Sequence, residues 1–237
     1  MSAIEQLMDY NIFLDTWTQA GYQSVFFNDA SPDDKLKVIL RHDIDFDLEF
    51  AYQMAKMESD KGFVANYFFL ISNDAYNIMT PRNKEWVLKI RDLGHKISLH
   101  FDPEVYENVH EGFEYEVSLF EELFVEKISI VSFHRPNPKF FGLDFGDRIQ
   151  HTYNERYFQQ MKYYSDSTGI WRYGNPLISQ EFKDKKIMQI LIHPLWWVQK
   201  GSDNHDKLIN LFYRKVEKLK ENFKENSIPF RKIMDQL

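Results

Sequence analysis

The stretch Val38-Ile-Leu-Arg-His-Asp-Ile-Asp-Phe-Asp47 decides the fold. An apolar run climbs into a knot of ionisable side chains and stops there. With the period-two alternation of a strand, Ile39, Arg41, Asp43 and Asp45 share one face, and Val38, Leu40, His42 and Ile44 share the other. Two carboxylates on one face at a strand's end are costly to hold together unless a proton, a cation or a metal lies between them. Asp47 suits the N-cap of a following helix. Capping needs one carboxylate, so Asp43 and Asp45 point to a site. His42, on the apolar face, reads as a core or hydrogen-bonded histidine.

Working outward, residues 4 to 20 carry a partial helical stripe of Ile4, Leu7, Met8, Phe13, Leu14 and Trp17 that Gly21 ends. After Asp47, a helix over 48–61 closes at Gly62, and 63–71 is an apolar run of strand length. A helix over 83–93 stops at Gly94, followed by a short strand over 95–100 and a long acidic helix over 104–126. Strands are expected at 128–134, 162–166 and 186–193, with loop over 136–146. A last helix starts at Ser202, its Leu208, Leu211, Phe212, Leu219 and Phe223 at helical spacing. Strands alternating with helices imply a mostly parallel α/β sheet, and this many units in succession favour a barrel over an open doubly wound sheet. No linker or internal repeat divides the chain. The expectation is one domain over 1–237, with an N-terminal helical extension over 1–35 and a C-terminal helix over 202–237.

Composition narrows the function. The 237 residues carry 43% hydrophobic and 27% charged side chains, ordinary for a globular protein. With no cysteine there is no disulfide, thiolate metal site or cysteine nucleophile. A formal net charge of -7 argues against general nucleic-acid binding. No signal peptide is visible and no apolar run is long enough to span a membrane, so the expectation is a cytoplasmic protein.

The ionisable residues at successive strand ends are Asp43 and Asp45, His100, His134 and Arg135, Asp166, and His193. Loops at the carboxyl ends of parallel strands are where such architectures build active sites. His95 opens a strand and reads as structural. His110, His151 and His205 stand in polar surroundings and read as surface residues.

These residues carry a resemblance to the polysaccharide deacetylases, the carbohydrate esterases of the chitooligosaccharide-deacetylase homology type. Arg41-His-Asp-Ile-Asp resembles the family's Thr-Phe-Asp-Asp-Gly, and Gly94-His-Lys-Ile-Ser-Leu-His resembles its Gly-His-Glu-Ile-Gly-x-His segment. Phe133-His-Arg-Pro resembles its Arg-Pro segment. Asp166 with Trp171 resembles its Asp-and-Trp segment, and Ile190-Leu-Ile-His-Pro its strand ending in His. Two departures stand out. The adjacent Asp pair is here Asp-x-Asp, and Glu104 occupies the position of the family's second histidine.

The resemblance implies a distorted, incomplete (β/α)7-type barrel and a metal-dependent hydrolase that removes an N-acyl group from an amino sugar. It implies a divalent metal, zinc first, held by Asp45, His100 and one of Glu104, Asp102 or His134. Which of Asp43 and Asp45 is base and which is ligand stays open. In the family mechanism Asp43 acts as general base, Arg135 orients it, and His193 held by Asp166 protonates the leaving amine. Trp196 and Trp197 beside His193 could form a wall for a sugar ring, with Trp196 taken as the substrate contact. The expected partner is a carbohydrate or a nucleotide- or lipid-linked amino-sugar precursor of surface glycans. A deacetylase-like protein that binds carbohydrate without turnover is the alternative. A third expectation keeps the metal and cleaves another amide, such as a formamide or a small ureide.

Overall fold

The strand expected at Val38 forms over Lys37–Ile44 (β2), in a computed structural model that describes residues 7–234. Before it come α1 (Tyr10–Gln19) and the short β1 (Gln23–Ser24). After it the chain alternates through α2 (Leu48–Asp60), β3 (Asn66–Phe69), α3 (Pro81–Asp92), β4 (Lys96–Phe101), α4 (Val109–Phe124) and β5 (Ile130–Phe133). Shorter elements follow: β6 (Gln150–His151), α5 (Glu155–Phe158), β7 (Lys162–Ser165), α6 (Gln180–Lys183), β8 (Met188–Ile192) and α7 (Pro194–Val198). Two helices, α8 (Asn204–Asn226) and α9 (Ile228–Met234), end the described chain. Of the expected first helix, Ile4 lies outside the described residues.

Parallel pairing orders the strands β6-β5-β4-β3-β2-β8-β7, with β1 beside the start of β2. Among the described residues no pairing joins β6 to β7, so the curled sheet is a barrel left open on one side, as expected from sequence. Local signals set the edges of the elements. Asp47 accepts from the backbone N–H groups of Glu49 at 3.0 Å and Phe50 at 3.4 Å, starting α2 directly after the acidic knot. Gly62, at φ 76°, supplies the left-handed turn that ends that helix.

The alternation read along β2 is the one observed. Val38, Leu40 and Ile44 belong to the main apolar core with Phe13 and Trp17 of α1 and Met54 of α2. Ile39 joins a second cluster with Phe27, Phe68, Ile130, Tyr157 and Ile187. Arg41 and Asp43 follow Ile39 on the same face, so the barrel interior changes from apolar to charged along one strand. His42, on the outward face, meets Glu58 of α2 through Nε2 at 2.7 Å. Glu58 also accepts from Tyr10 at 2.5 Å and Tyr67 at 2.6 Å, and all four side chains are buried. His95 is structural as expected: its Nδ1 accepts from the Ala65 N–H, and Nε2–H donates to the Ala55 carbonyl.

Two features differ from the sequence reading. His151, expected at the surface, is buried in β6, with its ring stacked on Phe133 and Nε2 against the Leu143 carbonyl at 3.1 Å. A two-residue strand in a polar stretch offers no periodicity to read. The chain groups into two compact units, one closing at Val198 and the other opening at Gln199. The sheet belongs wholly to the first. Within the second, the expected single helix from 202 breaks at Ser227, because Pro229 lacks an N–H and disfavours helical backbone just before it. Among the described residues no helix is long and apolar enough to cross a membrane.

Glu58→Ala removes the shared acceptor of two buried phenols and the partner of a buried imidazole. The expected loss is about 3–5 kcal/mol, read as a lower urea midpoint at unchanged slope. A midpoint equal to that of the parent protein would mean the network contributes nothing to stability.

Candidate active site and candidate metal centre

Adjacent parallel strands deliver the site at their carboxyl ends. β2 supplies Asp43 and the turn after it Asp45, β4 supplies His100, and the turn after β5 supplies His134. Asp166 follows β7 and His193 follows β8. With β2 in the middle of the sheet, residues far apart in sequence meet over its end.

Asp45, His100 and His134 bring three donor atoms together, a grouping able to hold a metal ion. Asp45 Oδ1 lies 3.4 Å from His100 Nε2 and 3.4 Å from His134 Nδ1, and the two nitrogens are 3.3 Å apart. Ligand atoms of a tetrahedral ion with bonds of about 2.0–2.1 Å stand about 3.3–3.4 Å apart. The triangle therefore has the size a small divalent cation requires. Its chemistry agrees. Asp45 Oδ1 is buried without a hydrogen-bond partner, a costly state for a carboxylate oxygen. His100 Nδ1–H points at the Ser132 carbonyl, 3.3 Å away, which leaves the Nε2 lone pair facing the triangle. The residues present fit a metal.

Asp43 is held differently. Its Oδ1 accepts from Arg41 Nε at 3.0 Å and its Oδ2 from Arg41 Nη2 at 2.8 Å, with the Ser132 hydroxyl 3.0 Å from both oxygens. Burial pushes its carboxyl up, but the charge of Arg41, with its hydrogen bonds and the nearby His100 and His193, holds it below the usual carboxylate range. Oδ2 stands 3.7 Å from His100 Nε2, beside the triangle.

His193 completes the floor of the cleft. Its Nδ1–H donates to Asp166 Oδ1 at 2.6 Å, and Nε2 stands 3.8 Å from Asp45 Oδ2. Asp166 is fully buried and also accepts from the His193 backbone N–H and from Trp197 Nε1 at 2.6 Å. Burial works against a charged ring. The charge and hydrogen bond of Asp166, with Asp45 and Asp43, outweigh it and raise His193 to about 9. A cation on Asp45 weakens that part of the pull.

The remaining expected residues fall elsewhere. Arg135 does not meet Asp43. It is 62% exposed, takes a left-handed φ of 47°, and forks onto Asp102 through Nε and Nη2. Arg41, two residues before Asp43, holds the place expected for Arg135. Glu104 stands outside the triangle, tied at the surface to Lys139 at 3.0 Å and to Asn137 at 3.1 Å. Trp196 is buried beside Pro194 and Leu195 in a small pocket that also touches Asp43 and Asp45, whereas Trp197 reaches Asp166. The sequence reading missed Arg41 as a site residue, and with it Ser132, Gln189 and Tyr153, which all bind its guanidinium. The available signal was Arg41's place on the same strand face as Asp43.

No family model and no curated protein matches the chain. Among solved structures, it is similar to a mutant of BA3943, a CE4 family pseudoenzyme with restored enzymatic activity, at 12% identity and a TM-score of 0.43. That match covers 79% of this chain and 64% of the other, so the chain spans under two thirds of that protein's length. The wild-type pseudoenzyme from Bacillus anthracis gives 12% identity and a TM-score of 0.42, covering 79% and 62%. A mutant of the peptidoglycan deacetylase PdaC from Bacillus subtilis gives 10% identity and a TM-score of 0.44, covering 83% of this chain and 97% of that one.

The exchange of roles between the two arginines has a measurable signature. Arg41→Met leaves Asp43 buried without a counter-charge and is expected to cost about 3–5 kcal/mol. Arg135→Met breaks an exposed pair and is expected to cost about 1 kcal/mol or less. Equal losses in parallel urea titrations would refute the assignment.

Proposed function

We propose that the chain is a divalent-metal-dependent hydrolase that removes an N-acyl group, acetyl or formyl, from an amino sugar or a glycan built from one. The observation that carries this reading is the triangle of Asp45, His100 and His134 with its orphaned carboxylate oxygen. Beside it stand one ionised carboxylate and one imidazole with a free Nε2, the pair that amide hydrolysis needs.

In this reading Asp45, His100 and His134 hold the ion, zinc in the first place given two imidazoles and one carboxylate. When bound, such an ion polarises the acyl carbonyl and acidifies a water. The protein's own residues do the rest. Asp43 takes the water's proton through a carboxylate that Arg41 keeps ionised, and Ser132 fixes its plane. His193 carries a proton on Nε2 toward the departing nitrogen while Nδ1–H stays on Asp166, which fixes the tautomer and the ring's direction. Trp197 and the His193 backbone hold Asp166 from the other side. Water adds across the C–N bond, the carbon leaves as a carboxylic acid and the nitrogen as an amine. Trp196 forms part of the wall beside Asp43 and Asp45.

Elemental mass spectrometry of the purified protein tests the first half of the proposal. Near-stoichiometric divalent metal is expected, falling at least about tenfold in His100→Ala. No metal after incubation with zinc, cobalt and nickel would sink the mechanism. Release of acetate or formate from N-acyl amino sugars tests the second half. His193→Gln is expected to keep the metal and lower kcat by about 10²–10⁴. An unchanged kcat would remove His193 as the acid.

A further inference from the structure

The floor just described opens into a cleft of about 440 Å³, within the range of small-molecule sites. One side is a continuous row of rings. Phe141 stacks on Tyr153 at 4.6 Å, Tyr153 meets Phe158 at 5.1 Å, Phe158 meets Tyr163 at 5.2 Å, and Tyr163 meets Tyr173 at 5.7 Å. All five line the cleft. Tyr173, 48% exposed at one end of the row, offers its ring to a pyranose.

Most cations beside the cleft are answered: Arg41 has Asp43, His193 has Asp166, and Arg135 has Asp102. Arg172 is the exception. It lines the cleft at the Tyr173 end of the ring row, its guanidinium 5.6 Å from that ring's centre. Among the described residues no carboxylate pairs with it. Its backbone is pinned, because its N–H donates to the Ser165 carbonyl at 2.9 Å, and the intervening turn is closed by the Gly169 N–H on the Asp166 carbonyl at 2.7 Å. The loop that carries the catalytic-side Asp166 therefore also fixes the root of Arg172. In a chain of net charge -7, an exposed guanidinium with no carboxylate partner, set beside an aromatic ring, leaves its fork open to an anionic group.

We propose that this cleft selects an acidic amino sugar, with the sugar ring at the Tyr173 end of the aromatic row and a phosphate or carboxylate on Arg172. The inference rests on the deacylase reading for its account of which end of the ligand faces the floor. Phosphate and carboxylate offer the same oxyanion chemistry to a guanidinium, so the probes separate them.

The test is calorimetric titration in the presence of a chelator, so that no divalent ion bridges the anion and nothing is turned over. The probes are N-acetylglucosamine, N-acetylglucosamine 1-phosphate and N-acetylglucosaminuronic acid. At least one anionic probe is expected to bind the parent protein tenfold or more tightly than the neutral sugar, and the tighter of the two names the group. In Arg172→Gln that preference should fall below about threefold while the neutral sugar is unaffected. Arg135→Gln, already committed to Asp102, should change any of the three by less than about twofold. Equal affinity for neutral and anionic probes, an equal loss of all three in Arg172→Gln, or no binding of either anion at millimolar concentration would overturn the proposal. Because these isotherms need neither metal nor turnover, a chain that held no metal would lose the deacylase reading alone.

Discussion

A fully buried guanidinium organises this barrel. Arg41 lies in the interior and carries its charge there against a desolvation cost that only close partners offset. Its partners come from across the sheet: Asp43 on its own strand, Ser132 on β5, Gln189 on β8 and Tyr153 just beyond β6. The Tyr153 ring also lies under the guanidinium, 4.9 Å from its centre. A planar fork with several donors can satisfy such a set at once, where an ammonium could not. Below this point the interior is apolar, around Ile39 and Phe68. Above it the carboxylates and imidazoles begin. The arginine is the boundary between a packed core and a chemical surface.

That boundary explains why two aspartates two residues apart behave differently. Asp43 lies level with the guanidinium and is almost sealed, so its oxygens are fully used by Arg41 and Ser132. Asp45, one strand repeat further out, is beyond the fork's reach and meets only imidazole nitrogens. One carboxylate is thereby fixed as an ionised neighbour and the other left needing a cation. The same logic holds across the cleft. Asp166 spends its oxygens on His193 and Trp197, and the imidazole is left with one direction to face.

Much of this was legible before any coordinates. The alternation along Val38–Asp47 placed Arg41, Asp43 and Asp45 on one face and His42 on the other, and the ionisable strand ends marked the side of the barrel where those residues gather. What could not be read was pairing at long range. Arg41 and Arg135 are the same residue type, and nothing local says which one reaches Asp43; the answer depends on β2 lying inside the curl while Arg135 stands at the rim in a left-handed turn. Glu104 had the right chemistry and the right neighbourhood, yet Lys139, remote in sequence, holds it at the surface. His151 was misread because its strand is only Gln150–His151, too short to show a period, and its burial comes from stacking on Phe133. In each case the local pattern gave the residue's character and the partner decided its place.

The opening between β6 and β7 is spanned by rings rather than by a ladder of backbone hydrogen bonds. Tyr153, Phe158 and Tyr163 pack across it. A backbone ladder is indifferent to side-chain identity and cannot be reshaped without breaking the sheet, whereas a row of rings can change one at a time while every strand keeps its register. Tyr153 is tied to Arg41, so it is at Phe158 and Tyr163 that a change of side chain alters the contour of the cleft at little cost to the scaffold. A substitution at either ring reshapes the wall of the cleft while Arg41 and Asp43 keep their partners.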